Sequence, residues 1–152
     1  MSLAEEVPDL RDRSFSSLFS HALRGVPCRV LGLDGGPTEL PVHEWTRAAD
    51  PHDDRLLAEC VGDTLDVGCG PGSLTADIAA HAPGCTINGI DASADVVDRA
   101  RAAHGAVADF ATGDIYALEA PDDHYDVVHA HQVLQHLDDP VAALREMRRV
   151  TK

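Results

Sequence analysis

The sequence predicts a doubly wound α/β domain with a mostly parallel sheet, preceded by a lead-in with an N-terminal helix and a short hairpin. From Asp63 onward, short apolar strands alternate with helical stretches of about ten residues. The first of these strands also ends in a cluster of glycines that opens a helix. Such alternation is typical of βαβ units, whose strands are parallel. We place the lead-in at residues 1–52 and the α/β domain at residues 53–152.

The lead-in is predicted to contain one helix and one hairpin. These elements are a helix over 15–23 capped by Ser14, strands over Cys28–Leu33 and Thr38–Val42, and an Asp-Gly-Gly-Pro turn at 34–37. Trp45 either anchors this segment or covers a ligand. The residues before Asp63 carry no other recognisable chemistry.

The elements of the α/β domain follow one another without a long interruption. The expected strands are Thr64–Val67, Thr86–Ile90, Val107–Ala111 and Tyr125–Ala130, and the expected helices are Ser73–His81, Ala94–Ala103 and Val141–Val150. Asp53 and Ser93 are candidate helix caps. The acidic pair before Pro140 opens the last helix.

Charge and composition restrict the partners and the compartment. The 152 residues include 12 basic and 26 acidic side chains, a formal net charge of −14, which opposes binding to nucleic acid and to anionic membranes. No stretch approaches the roughly 18 apolar residues of a membrane span, and the N-terminus lacks the pattern of a signal peptide. Four scattered cysteines without a Cys-x-x-Cys pair indicate reduced thiols and no metal, so we expect a cytoplasmic protein.

The glycine cluster at 68–72 follows the first strand and is typical of a nucleotide site. Glycines let the backbone turn sharply and approach a ligand, while the N–H groups of the next helix point outward. The alternative is a tight turn without a ligand. The dinucleotide fingerprint G-x-G-x-x-G requires glycine at the position of Ser73, so the turn departs from it. Asp66 lies inside the strand and needs a cationic or hydrogen-bonding partner, because an unpaired buried charge is costly.

Two further acids follow the second and third strands. Asp91 lies 19 residues after Gly72, where a carboxylate can accept both ribose hydroxyls of an adenosine. A helix-capping or loop acid is the alternative. Asp114, which follows Gly113, offers an acceptor for an adenine amino group. Taken together, the three strand ends predict an adenosine-containing ligand.

At these residues the sequence resembles class I S-adenosylmethionine-dependent methyltransferases. Thr64–Gly72, Gly89–Ser93 and Gly113–Ile115 are similar to their first three motifs, and Tyr125–Leu137 is similar to the fourth strand and loop of the ubiquinone/menaquinone C-methyltransferase-like branch. The resemblance implies a Rossmann-like, partial class I methyltransferase fold. It also implies S-adenosyl-L-methionine as cofactor, S-adenosyl-L-homocysteine as product and a small molecule as methyl acceptor.

The resemblance assigns the residues that hold the cofactor. The glycine turn would hold the methionine end, Asp91 the ribose, and Asp114 with Ile115 the adenine. The implied cofactor-binding residues are Asp66, Gly68, Cys69, Gly70, Pro71, Gly72, Asp91, Ala92, Gly113, Asp114, Ile115 and His131. Cys69 is either a small residue that fills space beside the turn or a thiolate activated by the helix N-terminus.

Three histidines cluster after the fourth strand, at the expected mouth of the site. His129 and His131 would share one face of an extended strand. A base is needed only where the acceptor has a proton to lose, and His131 and His136 are the candidate catalytic residues. A metal site or polar loop residues without a catalytic role are the alternatives.

The family has a seven-stranded sheet in the order 3-2-1-4-5-7-6, and the sequence offers no counterpart of strands five to seven, so the chain looks truncated after the helix that follows strand four. The fourth strand would then be an open apolar edge, from which we expect a homodimer or a strand-swapped oligomer. Residues 40–45 are similar to the lead-in of a different branch, which suggests two joined methyltransferase pieces. The alternatives to an active methyltransferase are therefore a cofactor-binding but inactive fragment, chimera or regulatory module, and a nicotinamide-dependent enzyme.

Overall fold

The computed structural model describes residue 22 and residues 24–30, 38–39 and 50–152. Contacts divide the chain into two compact units, residues 1–42 and residues 43–152. The predicted boundary between residues 52 and 53 falls inside the first helix of the second unit, which spans Pro51–Leu57.

The first unit contains a short antiparallel ladder. Strand β1 (Arg29–Val30) pairs with strand β2 (Thr38–Glu39), and Arg29 lies opposite Glu39. The described residues of the two strands belong to the predicted hairpin, and the rest of that hairpin lies outside the described residues. Several predicted features lie outside the described residues: Ser14, all of the helix over 15–23 except residue 22, the turn at 34–37, and Trp45.

A four-stranded parallel sheet forms the centre of the second unit. Its strands are β3 (Thr64–Val67), β4 (Ile87–Asp91), β5 (Asp109–Thr112) and β6 (Val127–Ala130), in the spatial order β5-β4-β3-β6. Val67 pairs with Ile90 on one side and with Ala130 on the other. The carboxyl ends of these strands are therefore level, and the predicted fold class is confirmed.

Four α-helices and one 3₁₀ helix accompany the sheet. They are α1 (Pro51–Leu57), α2 (Ser73–His81), α3 (Ala94–His104), the 3₁₀ helix Leu134–His136 and α4 (Pro140–Val150). The prediction that Asp53 caps α1 is wrong, because Asp50 is the cap and Asp53 closes a reciprocal capping box with it. Ser93 precedes α3 as predicted, but its side chain makes no capping bond. Asp139 caps α4 through the N–H of Ala142 at 2.9 Å.

Two apolar clusters cover opposite faces of the sheet, because neighbouring residues of a strand point to opposite sides. The first cluster joins α1, α2 and α3 to the sheet through Leu57, Ile78, Val97, Ala100, Ile87 and Phe110. The second joins α4 and the segment before β6 to the sheet through Leu65, Val67, Leu118, Tyr125, Met147 and Val150. Helices on both faces make this unit doubly wound.

Arg149 of α4 fastens the long connection between β5 and β6. Its guanidinium donates to both carboxylate oxygens of Glu146 at 2.7 and 2.9 Å and to Asp122 at 2.7 Å. It also donates to the carbonyl oxygens of Leu118 and Ala120, each at 2.9 Å. The planar guanidinium uses its fork of donors to hold the connection against α4, and the same arginine lowers the pKa of Glu146.

The sheet continues beyond β6 by one further pairing. Tyr125 and Thr151 form a parallel bridge, and the N–H of Lys152 donates to the carbonyl oxygen of Tyr125 at 2.9 Å. This bridge lies just before β6, where Thr151 occupies the position of an adjacent parallel strand. Among the described residues β6 itself is an edge strand of the sheet, so the expected self-association through this edge stays a prediction.

Gly72 allows a test of why the turn after β3 requires glycine. A Cβ atom at Gly72 would lie 2.9 Å from the ring of Phe110 and 3.0 Å from the Cβ of Ala100, whereas a Cβ at Gly84 would meet nothing within 4 Å. Both glycines have φ near +86°, so both substitutions carry the backbone penalty of about 1–2 kcal/mol. We expect Gly84→Ala to lower the free energy of unfolding by about that amount. Gly72→Ala should lower it by about 1–3 kcal/mol more, because the core must also move.

Urea denaturation of both variants measures this difference, and the entropic effect of alanine on the unfolded chain cancels between them. Equal losses of stability would show that Phe110 moves away from the new methyl group without cost.

Candidate functional site

The glycine turn lies over the carboxyl end of β4. Gly68, Gly70 and Gly72 have φ values of 71°, 55° and 86°, which is the left-handed region that favours glycine. The N–H groups of Gly68 and Cys69 both donate to the carbonyl oxygen of Ile90, at 2.7 and 2.9 Å. The turn is therefore held against β4 by its backbone, and α2 starts immediately after it.

Asp91 is the acid that borders this turn. Its two carboxylate oxygens accept from the N–H of Gly70 at 3.1 Å and from the N–H of Ser93 at 2.9 Å. The side chain is half-buried, and burial raises its pKa while the two N–H donors oppose that shift. Each carboxylate oxygen has further lone pairs, so the group can accept hydroxyl donors from a ligand.

Asp114 lies beyond Asp91 along the same edge. The N–H of Gly113 donates to the carbonyl oxygen of Asp91 at 3.0 Å, which joins the two strand ends. Asp114 is exposed and accepts the N–H of Tyr116 at 2.9 Å. Ile115 is partly buried against the second apolar cluster, and Ala92 is exposed beside Asp91. The residues predicted for ribose and adenine are thus neighbours.

A groove of about 280 Å³ extends from Asp114 along β5. Its floor includes a hydrogen bond from the amide of Asn88 to the hydroxyl of Tyr125 at 3.0 Å. The carboxylates of Asp109 and Glu119 also line it. The groove therefore lies next to Asp114, the residue predicted to bind adenine.

Asp66 has a different environment from the other acids. Both oxygens of its carboxylate have partners inside the protein, because Thr75 of α2 donates to Oδ2 at 2.6 Å and Nδ1 of His129 lies 2.8 Å from Oδ1. The Asp66 side chain is 3% exposed and that of His129 is 8% exposed. The predicted need of Asp66 for a partner is confirmed. The geometry gives this acid a buried structural environment, and its assignment to cofactor binding stays a prediction.

Sequence reasoning did not identify the partners of Asp66. The sequence places His129 in one cluster with His131 and His136, and it offers no signal for Thr75. In the parallel pairing of β3 with β6, His129 lies opposite Asp66. The two side chains therefore point to the same face of the sheet, which would identify them as partners. That register becomes visible only when β6 is known to lie beside β3.

The predicted catalytic histidines lie on the segment after β6. His131 and His136 are both exposed, and the His131 ring is parallel to that of His129, with an interplanar angle of 4° and centroids 6.4 Å apart. The two rings therefore share one face of the strand, as expected. Gln132 has φ of 54°, a left-handed conformation that costs a residue with a Cβ about 1–2 kcal/mol. Such strain persists where the surrounding structure holds it.

Cys69 is buried between the turn and the first apolar cluster. Its thiol lies 3.6 Å from the carbonyl oxygen of Gly70, and burial raises its pKa well above the usual range, with Asp66 and Asp91 adding to the shift. The activated thiolate that the sequence left open is therefore wrong for this structure. Cys69 fills space beside the turn.

Among the residues that the structure describes, no group of three or more histidine, cysteine or acidic side chains is arranged to hold a metal ion. The same part of the chain contains no helix with the length and apolar character of a membrane span.

Comparison with known proteins identifies the family. The methyltransferase domain family matches residues 65–152, which is more than half of the chain. This chain belongs to that family. Its parallel sheet and its relatives are those of class I S-adenosylmethionine-dependent methyltransferases.

Curated relatives share the part of the chain that contains the site. An uncharacterised methyltransferase of Schizosaccharomyces pombe is 42% identical over 98 residues, which cover 58% of this chain and 35% of that protein. A trans-aconitate 2-methyltransferase of Methylobacterium radiotolerans is 38% identical over 101 residues, covering 66% of this chain and 38% of that protein. The chain thus spans little more than a third of the length of these relatives.

Solved structures share the fold. An S-adenosylmethionine-dependent methyltransferase from Mesorhizobium loti is 26% identical, with a TM-score of 0.59, over 80% of this chain and 51% of that one. The methyltransferase fold therefore extends over the sheet and helices described above.

The buried thiol of Cys69 gives a prediction for chemical modification. Cys85 is the half-buried member of the free cysteines of the second unit, whereas Cys60 and Cys69 are buried. Because burial also raises the pKa of Cys69, we expect a thiol reagent at neutral pH to modify Cys85 first and Cys69 only on unfolding. Peptide mass mapping after timed alkylation measures the order.

The Cys85→Ser variant serves as the control, since it should leave no rapidly modified thiol in the second unit. Rapid alkylation of Cys69 in the folded protein would contradict the assignment of this cysteine as a sealed residue.

Proposed function

We propose that this chain binds S-adenosyl-L-methionine across the carboxyl ends of β3, β4 and β5 and transfers its methyl group to a small-molecule acceptor. The observation that supports the proposal most strongly is the 3.1 Å hydrogen bond from the N–H of Gly70 to Asp91. It joins a left-handed glycine turn to a partly desolvated carboxylate. An amino-acid moiety on the turn and a ribose on the acid would therefore be adjacent, as they are in the cofactor.

The residues at this edge fit the cofactor from one end to the other. The glycine turn, Gly68–Gly72, would hold the methionine end, because a glycine backbone can approach a ligand closely. Asp91 would accept the ribose hydroxyls, with Ala92 beside it as a small exposed surface. Asp114 would accept the adenine amino group, with Ile115 providing apolar contact.

The proposed reaction needs positioning more than it needs chemical groups from the protein. The cofactor supplies a methyl group on a sulfonium. The bond from carbon to sulfur breaks as the bond from carbon to the acceptor nucleophile forms, and S-adenosyl-L-homocysteine remains. Where the acceptor has a proton to lose, a base is required. His131 and His136, exposed after β6, are our candidates for that role.

A small molecule is the acceptor class that the relatives favour. The Methylobacterium relative is a trans-aconitate 2-methyltransferase, and the similarity of Tyr125–Leu137 to the ubiquinone/menaquinone branch also favours a small organic acceptor. Cytoplasmic location and self-association remain predictions from the sequence. A module that binds the cofactor without turnover is the alternative, and a panel of acceptors distinguishes it from an enzyme.

Calorimetric titration of the chain with S-adenosyl-L-homocysteine tests the proposal. We expect selective binding over NAD, and we expect Asp91→Ala to weaken it at least tenfold, because two hydrogen bonds to a charged acceptor would be lost. Asp98→Ala is the matched control, since Asp98 is an exposed acid on α3 that pairs with Arg101. Absence of binding by the folded wild type, or equal binding by Asp91→Ala, would overturn the assignment.

The raised pKa of Asp91 makes the affinity depend on pH. Burial shifts this pKa above the ordinary value of 3.8, so the carboxyl takes up a proton at a higher pH than an exposed aspartate does. Protonation removes an acceptor for the ribose hydroxyls. We therefore expect the dissociation constant for S-adenosyl-L-homocysteine to rise as the pH is lowered toward 4, from a point above the usual aspartate range.

The Asp91→Asn variant separates this effect from titration of the ligand. It should bind more weakly at neutral pH and should lack the additional acidic loss of affinity. Parallel pH profiles for the two proteins would show that a group other than Asp91 controls the acidic limb.

A further inference from the structure

The chain changes direction after β6 at residues 131–133, which we call the corner. The segment that contains the corner contacts the glycine turn, residues 68–72, and the strand before it at two points. At one end, His129 binds the carboxylate of Asp66, which comes two residues before the turn. At the other end, the side chain of Val133 covers Gly68, and a Cβ atom at that glycine would overlap it. Gln132 lies between these attachments in a left-handed conformation. The strained residue is thus fixed by contacts on either side of it.

The carboxylate of Asp66 joins three elements. It belongs to β3, it accepts from Thr75 in α2 at 2.6 Å, and it faces His129 in β6 at 2.8 Å. Because a carboxylate only accepts, the Nδ1–H of His129 donates to it, which fixes both the tautomer and the orientation of the ring. The glycine turn connects β3 to α2, so the Thr75 bond closes the base of that turn.

We infer that Asp66, Thr75 and His129 are positioning residues, which fix the corner over 131–133 against the glycine turn. A ligand on the turn and the arrangement of the corner are thereby coupled through one buried carboxylate. His131 is the first residue of this corner, and its ring lies parallel to that of His129 with centroids 6.4 Å apart. The inference rests on the proposed function for the identity of the ligand, S-adenosyl-L-homocysteine in the test.

The backbone amide signal of Gln132 in a nitrogen-15 NMR spectrum reports the state of the corner. In Thr75→Val the hydroxyl donor is lost while the shape is kept, so we expect the Gln132 signal to shift even without ligand. The amide of Ala111 on β5 should not move. Thr75→Ser restores the donor and should restore the wild-type signal, which a general loss of stability would not explain.

Affinity provides the second measurement. We expect Thr75→Val to raise the dissociation constant for S-adenosyl-L-homocysteine about 5- to 10-fold, the usual effect of one buried hydrogen bond, and Thr75→Ser to stay near the wild type. The control is His81→Ala at the far end of α2, where the histidine is exposed and contacts the carbonyl oxygen of Asp77 and the carboxylate of Asp54, both away from the glycine turn. It should change neither the affinity nor the Gln132 signal.

Three outcomes separate this inference from the proposed function. A folded Thr75→Val with a wild-type Gln132 signal and unchanged affinity would overturn the inference alone. A wild type that binds no ligand would overturn the proposed function, and the Gln132 signals of the free proteins would still decide whether Asp66 fixes the corner.

If Thr75→Val does not fold, His129→Asn and His129→Ala replace it. The asparagine keeps a donor for Asp66 and the alanine does not. We therefore expect the Gln132 signal to shift more in His129→Ala than in His129→Asn.

Discussion

Parallel pairing on both sides of β3 is the constraint on which the rest of the second unit depends. Val67 pairs with Ile90 in one ladder and with Ala130 in the other, so the chain must leave all three strands at one edge. These positions are set by backbone hydrogen bonds, which are evenly spaced in parallel ladders. Residues from three distant parts of the sequence therefore meet at that edge, and the backbone pairing alone brings them together.

The glycine turn at that edge meets two separate demands. Gly72 is needed for packing, since the ring of Phe110 and the methyl group of Ala100 occupy the space that a side chain would take. A scaffold without a ligand would still require this glycine. Asp91 is different, because burial raises the free energy of its charged form. Two backbone N–H groups offset part of this cost, and under the proposed function the ribose hydroxyls would offset more of it.

Much of this architecture is predictable from the sequence, because its determinants are local. Helix α2 starts and ends where glycine and proline place its limits, and β3 has the predicted bounds. The turn, Asp91 and Asp114 are also recognisable, since each directly follows a strand. What the sequence does not reveal is which strands are neighbours. The bond between Asp66 and His129 spans 63 residues and exists only because β6 lies beside β3.

Two details that the sequence did not predict have different reasons. Asp53 is a residue type that commonly caps helices, but Asp50 directly precedes the proline that starts α1 and is the cap. Asp53 accepts from the backbone N–H of Asp50 in return. Arg149 offered no local signal, because its partners Leu118, Ala120 and Asp122 belong to a connection about thirty residues earlier. A long side chain with many donors finds its partners by tertiary placement. Its role could not be inferred from spacing.

Two neighbouring acids in a chain of net charge −14 are accommodated in opposite ways. Asp66 is bound by the side chains of Thr75 and His129 and is almost completely buried, so it offers no surface to a ligand from solvent. Asp91 is held by two backbone N–H groups and stays half-exposed, so its remaining lone pairs can accept from a ligand at no structural loss. The two acids differ because the partners of the buried Asp66 are side chains, whereas those of the half-exposed Asp91 are backbone N–H groups. An acid held by side chains fixes the structure, whereas an acid held by backbone at a strand end remains free to bind.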